Sequence, residues 1–107
     1  MRHMHAATES IAAYVARGRA AFDDDSAVRE AMVYQIVVLG EAAKAVVSAD
    51  PTIATELAAI EWALLAKMRD KITHQYWALD RELVWSTAQR DIPVIATLLA
   101  DALRRFA

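Results

Sequence analysis

The chain has no cysteine, only two glycines and two prolines, and 7% aromatic residues. Without thiols it forms neither disulfides nor thiolate metal sites, and a cytoplasmic location is the default expectation. So few glycines and prolines leave few places for sharp turns, which predicts long regular elements. Strong charge of either sign is also missing, with 12 Lys and Arg against 14 Asp and Glu and a formal net charge of -2. A general nucleic-acid binder carries a marked basic excess. Any RNA contact is therefore expected from a local patch or from a groove between copies. The opening "MRHMHAATES" lacks the apolar core of a signal peptide, and the longest apolar stretch, 31–49, is broken by Gln35, Glu41 and Lys44. A membrane span needs roughly 20 apolar residues, so this stretch is expected to be a buried helix and no membrane association is expected.

What is present favours packed helices. With 107 residues, 57% hydrophobic and 24% charged, the chain has the size of one domain, 1–107, with one core. Its alanine content favours an all-α fold. Ile11, Val15 and Phe22 recur at helical spacing, so a first helix is predicted from about Thr8 to Phe22. The "DDDS" run then supplies turn and N-cap chemistry. A second helix is predicted to begin after Asp25 or Ser26 and run to about Ser48, with Val28, Met32, Ile36, Leu39, Ala43 and Val46 as its core stripe. Pro51 breaks it, because proline disfavours helical geometry in the residue before it. A short turn is expected within 51–60, and a third helix from Trp62. Asp80 is placed to cap a fourth helix carrying Leu83, Val84, Ala88, Ile95, Leu98, Leu99, Leu103 and Phe106. Pro93 predicts a kink or short break there. The expected architecture is an antiparallel bundle of four to five helices.

The most polar island is "MRDKITHQYW", Met68 to Trp77. Arg69 and His74 are five residues apart, about 140° around a continuous helix, so they do not share a face. They converge only if the helix ends near Thr73 or if two copies meet across a twofold axis. Asp70 and His74 are four apart and share a face. The carboxylate is thus expected to bond the imidazole, fix its tautomer and favour its protonated form. Lys67 and Lys71 add positive charge close to Arg69, which suits a phosphate. Cations at a helix C-terminus also offset the helix dipole, so spacing alone leaves a purely structural explanation open.

Three ordered segments resemble one family. "MRDKITHQYW" resembles the R-x4-H-x-Y form of the R-x4-6-H signature of the HEPN superfamily, as found in HepT-like ribonuclease toxins. "VLGEAAKAV", Val38 to Val46, resembles the family's I-G-E-A-A-K segment, and "LVWSTAQRDIP" resembles its C-terminal stretch entering D-x-P. Asp70 stands where that family most often has asparagine.

The resemblance implies a HEPN-like helical endoribonuclease, a homodimer or higher oligomer, in which two motifs face one cleft. The implied toxin cleaves RNA without a metal or cofactor, using the ribose 2′-hydroxyl as nucleophile. His74 would move protons and Arg69 would neutralise charge on the phosphoryl oxygens. Asp70 would orient His74 or Arg69, and Lys71 and Thr73 are candidate RNA contacts. The implied partner is an MntA-like nucleotidyltransferase antitoxin that attaches AMP to Tyr76, placing bulk and phosphate charge beside Arg69. Without modification, Tyr76 is expected to anchor the helix end with its ring buried. A catalytically idle helical subunit that binds a nucleotidyltransferase or its substrate is the alternative, but it has no need of both Arg69 and His74.

Elsewhere, Gly40 inside the second helix implies a close helix approach, in the core or at a dimer contact. Glu41 is expected either to pair with Lys44 or to act near the cleft. His3 and His5 are expected in a flexible terminus, with no ligand-spaced carboxylate or third histidine to hold a metal. Trp62, Trp77 and Trp85 are expected as core or interface anchors.

Overall fold

The computed structural model describes residues 1–106; Ala107 and the side chain of Phe106, expected on the last core stripe, lie outside the described residues. Among the described residues seven α-helices follow in order: α1 Arg2–Val15, α2 Arg19–Asp24, α3 Ser26–Ala49, α4 Ile53–Glu56, α5 Trp62–His74, α6 Arg81–Ser86 and α7 Ile92–Phe106. No strand occurs among the described residues, and the fold is the expected all-α one. The long helices pack in a row, α5 on α3, α3 on α1 and α1 on α7. With α5 at one end of that row, one side of it, with Ala63, Lys67, Lys71 and His74, is left to solvent.

The first predicted helix is in fact two, and it begins earlier. Met4, Ala7, Thr8 and Ile11 are all buried, an i, i+3, i+4, i+7 stripe that carries α1 back to Arg2. His3 and His5 therefore lie on a helix rather than in a flexible terminus, and His5 Nδ1 sits 2.9 Å from Glu9 one turn on. The helix stops before Gly18, whose φ of 94° and ψ of 163° are open essentially to glycine alone. That turn redirects the chain so that Phe22, fully buried, packs its ring 5.3 Å from Trp85. Two carbonyls in the last turn of this segment, those of Phe22 and Asp23, accept from Arg29 Nη1 at 3.0 and 2.9 Å.

Helix α3 starts where its cap predicts, Asp25 Oδ1 accepting from Ala27 N at 2.9 Å. By length and composition, with a mean hydropathy of 1.4 over its most apolar window, it has the dimensions of a membrane span despite its polar interruptions. Its stripe of Met32, Ile36, Leu39 and Ala43 is instead buried in the core, as expected, while Val46 is only half-buried. Asp50 ends it, and the chain makes the single turn α4 before α5.

Asp80 caps α6 by accepting from Glu82 N and Leu83 N. Ahead of Pro93 the backbone does not break: it widens into one π-helical turn, Thr87–Asp91. A π turn shifts each hydrogen bond by one residue, which relieves the conflict between a proline ring and the carbonyl four residues earlier. Ile92, Ile95, Leu99 and Ala102 then bury one face of α7.

Candidate active site

Helix α5 sorts its residues by angle. Trp62, Leu65, Met68 and Ile72 are buried and fix the core side. Arg69, one turn beyond Leu65, borders that stripe next to α3, whereas His74 lies about 180° from Leu65 and faces solvent. Because α5 continues through His74, the helix does not end early enough to bring Arg69 and His74 onto one face of a single chain.

Arg69 is held from α3. A Cβ built on Gly40 would lie 2.7 Å from the Leu65 carbonyl oxygen and against the Cβ of Arg69, so only glycine lets the two helices meet here. The close approach expected for Gly40 is thus a contact within the chain. One turn of α3 then reaches across twice: Glu41 pairs with Arg69 Nε, and Lys44 Nζ lies 3.1 Å from Asp70 Oδ1. The same Asp70 oxygen accepts from Arg69 Nη1 at 3.0 Å. Of the two alternatives for Glu41, pairing with Lys44 is not met, because both residues reach α5 instead. Lys44 first, and Arg69 second, hold the Asp70 carboxyl below the usual carboxylate range; Asp70 first, then Glu41, raise the already high pKa of Arg69.

The expected link between the Asp70 carboxylate and His74 is absent. That carboxylate is turned to Lys44 and Arg69, and His74 Nδ1 meets the Asp70 backbone carbonyl instead, at 2.8 Å. A carbonyl only accepts, so Nδ1 carries the hydrogen and, in the neutral ring, Nε2 keeps its lone pair. Asp70 therefore sets the tautomer of His74, but through its backbone. Thr73 Oγ1 donates to the same carbonyl at 3.2 Å. Lys71, Thr73 and His74 are all exposed.

Beyond α5 the chain makes a 3₁₀ turn, Tyr76–Ala78. Tyr76 is 51% exposed and Trp77 84% exposed, so Tyr76 does not take up its structural alternative of a buried ring and Trp77 is not a core anchor. Trp62 and Trp85 are, and Trp62 Nε1 donates to the Leu57 carbonyl at 3.1 Å. No cluster of three or more His, Asp or Glu suited to a metal occurs among the described residues.

The profile of the family described as "Ribonuclease HepT-like" matches residues 4–102. The chain belongs to this family. Two Methanocaldococcus jannaschii proteins, each provisionally named an RNase, are 38% and 36% identical to it over 74 residues, or 69% of this chain and 59% and 61% of theirs. A Thermococcus cleftensis protein named "Probable ribonuclease HepT" is 32% identical over 69 residues, 64% of this chain and 60% of that one. The chain thus spans about three fifths of the length of these HepT-like relatives. No solved structure matches. The family match runs from the first turn of α1 through most of α7 and includes every residue of the site, from Gly40 on α3 to Tyr76.

Proposed function

We propose that this HepT-like chain is an endoribonuclease toxin that cleaves RNA without a metal. The observation that carries the reading is the opposed presentation of Arg69 and His74 on α5: one braced against α3, the other exposed with Nε2 available. A second copy across a twofold axis supplies the missing partner, so that the arginine and histidine of two chains line one cleft.

In that cleft His74 Nε2 takes the proton from the ribose 2′-hydroxyl. The 2′ oxygen bonds to phosphorus and the P–O5′ bond breaks, leaving a cyclic phosphate. A protonated His74 in the other copy returns a proton to the departing 5′ oxygen. Arg69, fixed by Glu41 and Asp70, faces the charge that builds on the phosphoryl oxygens. The nucleophile is already held next to phosphorus, so positioning replaces metal activation. Lys71 and Thr73, exposed on the same last turn, take the flanking phosphates.

The accessible Tyr76 hydroxyl suits it to receive AMP from a nucleotidyltransferase antitoxin. Its oxygen bonds to the α-phosphorus of ATP and pyrophosphate leaves. The added anion and bulk stand two residues beyond His74 and close the cleft to RNA.

The test is cleavage of RNA by the purified protein in the presence of a chelator. Arg69→Ala and His74→Ala are each expected to abolish it while the protein stays folded. Full activity in a well-folded His74→Ala protein removes the assignment.

A further inference from the structure

A cavity of about 230 Å³ lies beside the 3₁₀ turn and shares only Tyr76 with the chemistry above. Phe22 and Val84, both buried, form its apolar floor, and the exposed Glu30, Trp77 and Arg81 stand at its rim. The volume falls below that of sites for drug-sized ligands and suits a single flat ring system. Arg29, also in the lining, is fixed by its hydrogen bonds to the Phe22 and Asp23 carbonyls. Its guanidinium is thereby a set part of the wall and not a solvated arm.

Trp77 is the feature that asks for a ligand. A tryptophan 84% exposed gains little from burial, yet it brings a large aromatic ring to a cavity that Arg29 and Arg81 also line. Tyr76 connects this cavity to the end of α5. It lines both the cavity and the adjoining apolar groove, which also includes Tyr34, Ile72 and Thr73, the neighbour of His74. A strand with its phosphate at His74 can therefore lay the next base along the groove and into the cavity.

We infer that this cavity is a base-recognition subsite for one unpaired guanine of the RNA; the inference rests on the nuclease reading for its place in catalysis. Guanine alone among the four bases presents two adjacent donors, N1–H and the N2 amino group, which a carboxylate such as Glu30 accepts together. Its O6 and N7 are acceptors that fit a guanidinium such as that of Arg29. Trp77 stacks on the ring, and Arg81 at the rim neutralises the nucleotide phosphate.

Binding and cleavage are measured separately, so that failure of one is distinguishable from failure of the other. In the first arm, guanosine 5′-monophosphate is titrated into the protein while tryptophan fluorescence is followed. Trp77, the exposed indole, is expected to report saturable quenching, and the Trp77→Phe protein to lose it. Affinity is expected to exceed that for adenosine, cytidine and uridine monophosphates, and Glu30→Gln to weaken it roughly ten-fold, the scale of one lost base contact. In the second arm, cleavage of single-stranded oligonucleotides is mapped. The wild type is expected to cut next to guanine, and Trp77→Ala to reduce kcat/KM at those positions roughly ten-fold, in line with one lost stacking contact. Glu30 and Trp77 are exposed, so these proteins are expected to melt with the wild type. Guanosine monophosphate binding without RNA cleavage leaves the subsite standing and removes the nuclease reading. Equal affinity for all four nucleotides, or binding untouched by both substitutions, overturns the subsite.

Discussion

The Cα of Gly40 on α3 faces the Cβ of Arg69 on α5 with no room for a further carbon between them. Helix contact and site geometry are therefore the same fact: the approach that lets α3 and α5 pack also brings Glu41 and Lys44 onto Arg69 and Asp70. The cation proposed to meet the phosphate is fixed from the neighbouring helix.

Gly40→Ala tests this directly. A methyl group 2.7 Å from the Leu65 carbonyl forces the helices apart. Overpacking costs about 1–3 kcal/mol, against a gain of about 1 kcal/mol in helix propensity. Net destabilisation is expected, seen as a lower denaturation midpoint with unchanged slope, together with loss of RNA cleavage as Arg69 shifts. A midpoint above the wild type shows that the contact is not tight.

Asp70→Asn is expected to alter the acid response of stability. The native carboxyl is held below its ordinary pKa by Lys44 and Arg69, so the folded state binds fewer protons than the unfolded one. Its contribution is then full above the unfolded value of about 3.9 and is lost as pH falls through the lower folded value. The wild type should melt above Asp70→Asn at neutral pH, and the gap should close below about pH 4. A gap that widens on acidification contradicts the pairing.

The ring of His74 is expected to carry its neutral-state hydrogen on Nδ1, because that atom faces the Asp70 carbonyl at 2.8 Å. Nitrogen-15 spectra of histidine-labelled protein above the titration of the ring distinguish the two tautomers. The Nε2–H form for His74 removes the lone pair that the proposed base requires. Asp70→Asn should leave the tautomer unchanged, since the backbone carbonyl sets it.

Gly18→Ala isolates a backbone effect. Nothing lies within 4 Å of an added Cβ, but the φ of 94° remains. Strain of this kind costs of order 1–3 kcal/mol. For a domain near 100 residues, a melting temperature lower by roughly 4–8 °C per kcal/mol is expected in calorimetry.

The helical class, the cap at Asp80, the break at Pro51 and the core stripe of α3 were all legible in the sequence, because each depends on periodicity or on a residue's own backbone preference. The same holds for the segments that mark the family. Gly18 carried a readable signal too: a lone glycine between two alanine-rich stretches marks the redirection that makes two helices of the predicted first one. Met4 and Ala7 carried the stripe that extends α1 toward the N-terminus. Pro93 signalled a disturbance, but whether the chain breaks or widens into a π turn depends on how α6 and α7 pack.

The site was legible as a set of residues but not as a set of contacts. Spacing put the Asp70 carboxylate on His74 and left Lys44 open as a partner for Glu41, since it compares only neighbours on one helix. The structure gives Asp70 and Glu41 partners across the α3–α5 interface, Lys44 and Arg69 respectively, and leaves His74 to a carbonyl of its own helix. The sequence alone determined which chemical groups the chain has and that Arg69 and His74 diverge on a continuous helix. Only the tertiary structure decided that Gly40 admits Arg69, that Lys44 takes Asp70 and that His74 is left to a backbone carbonyl. Those choices follow from the distance between two helices, which no pattern along one of them contains.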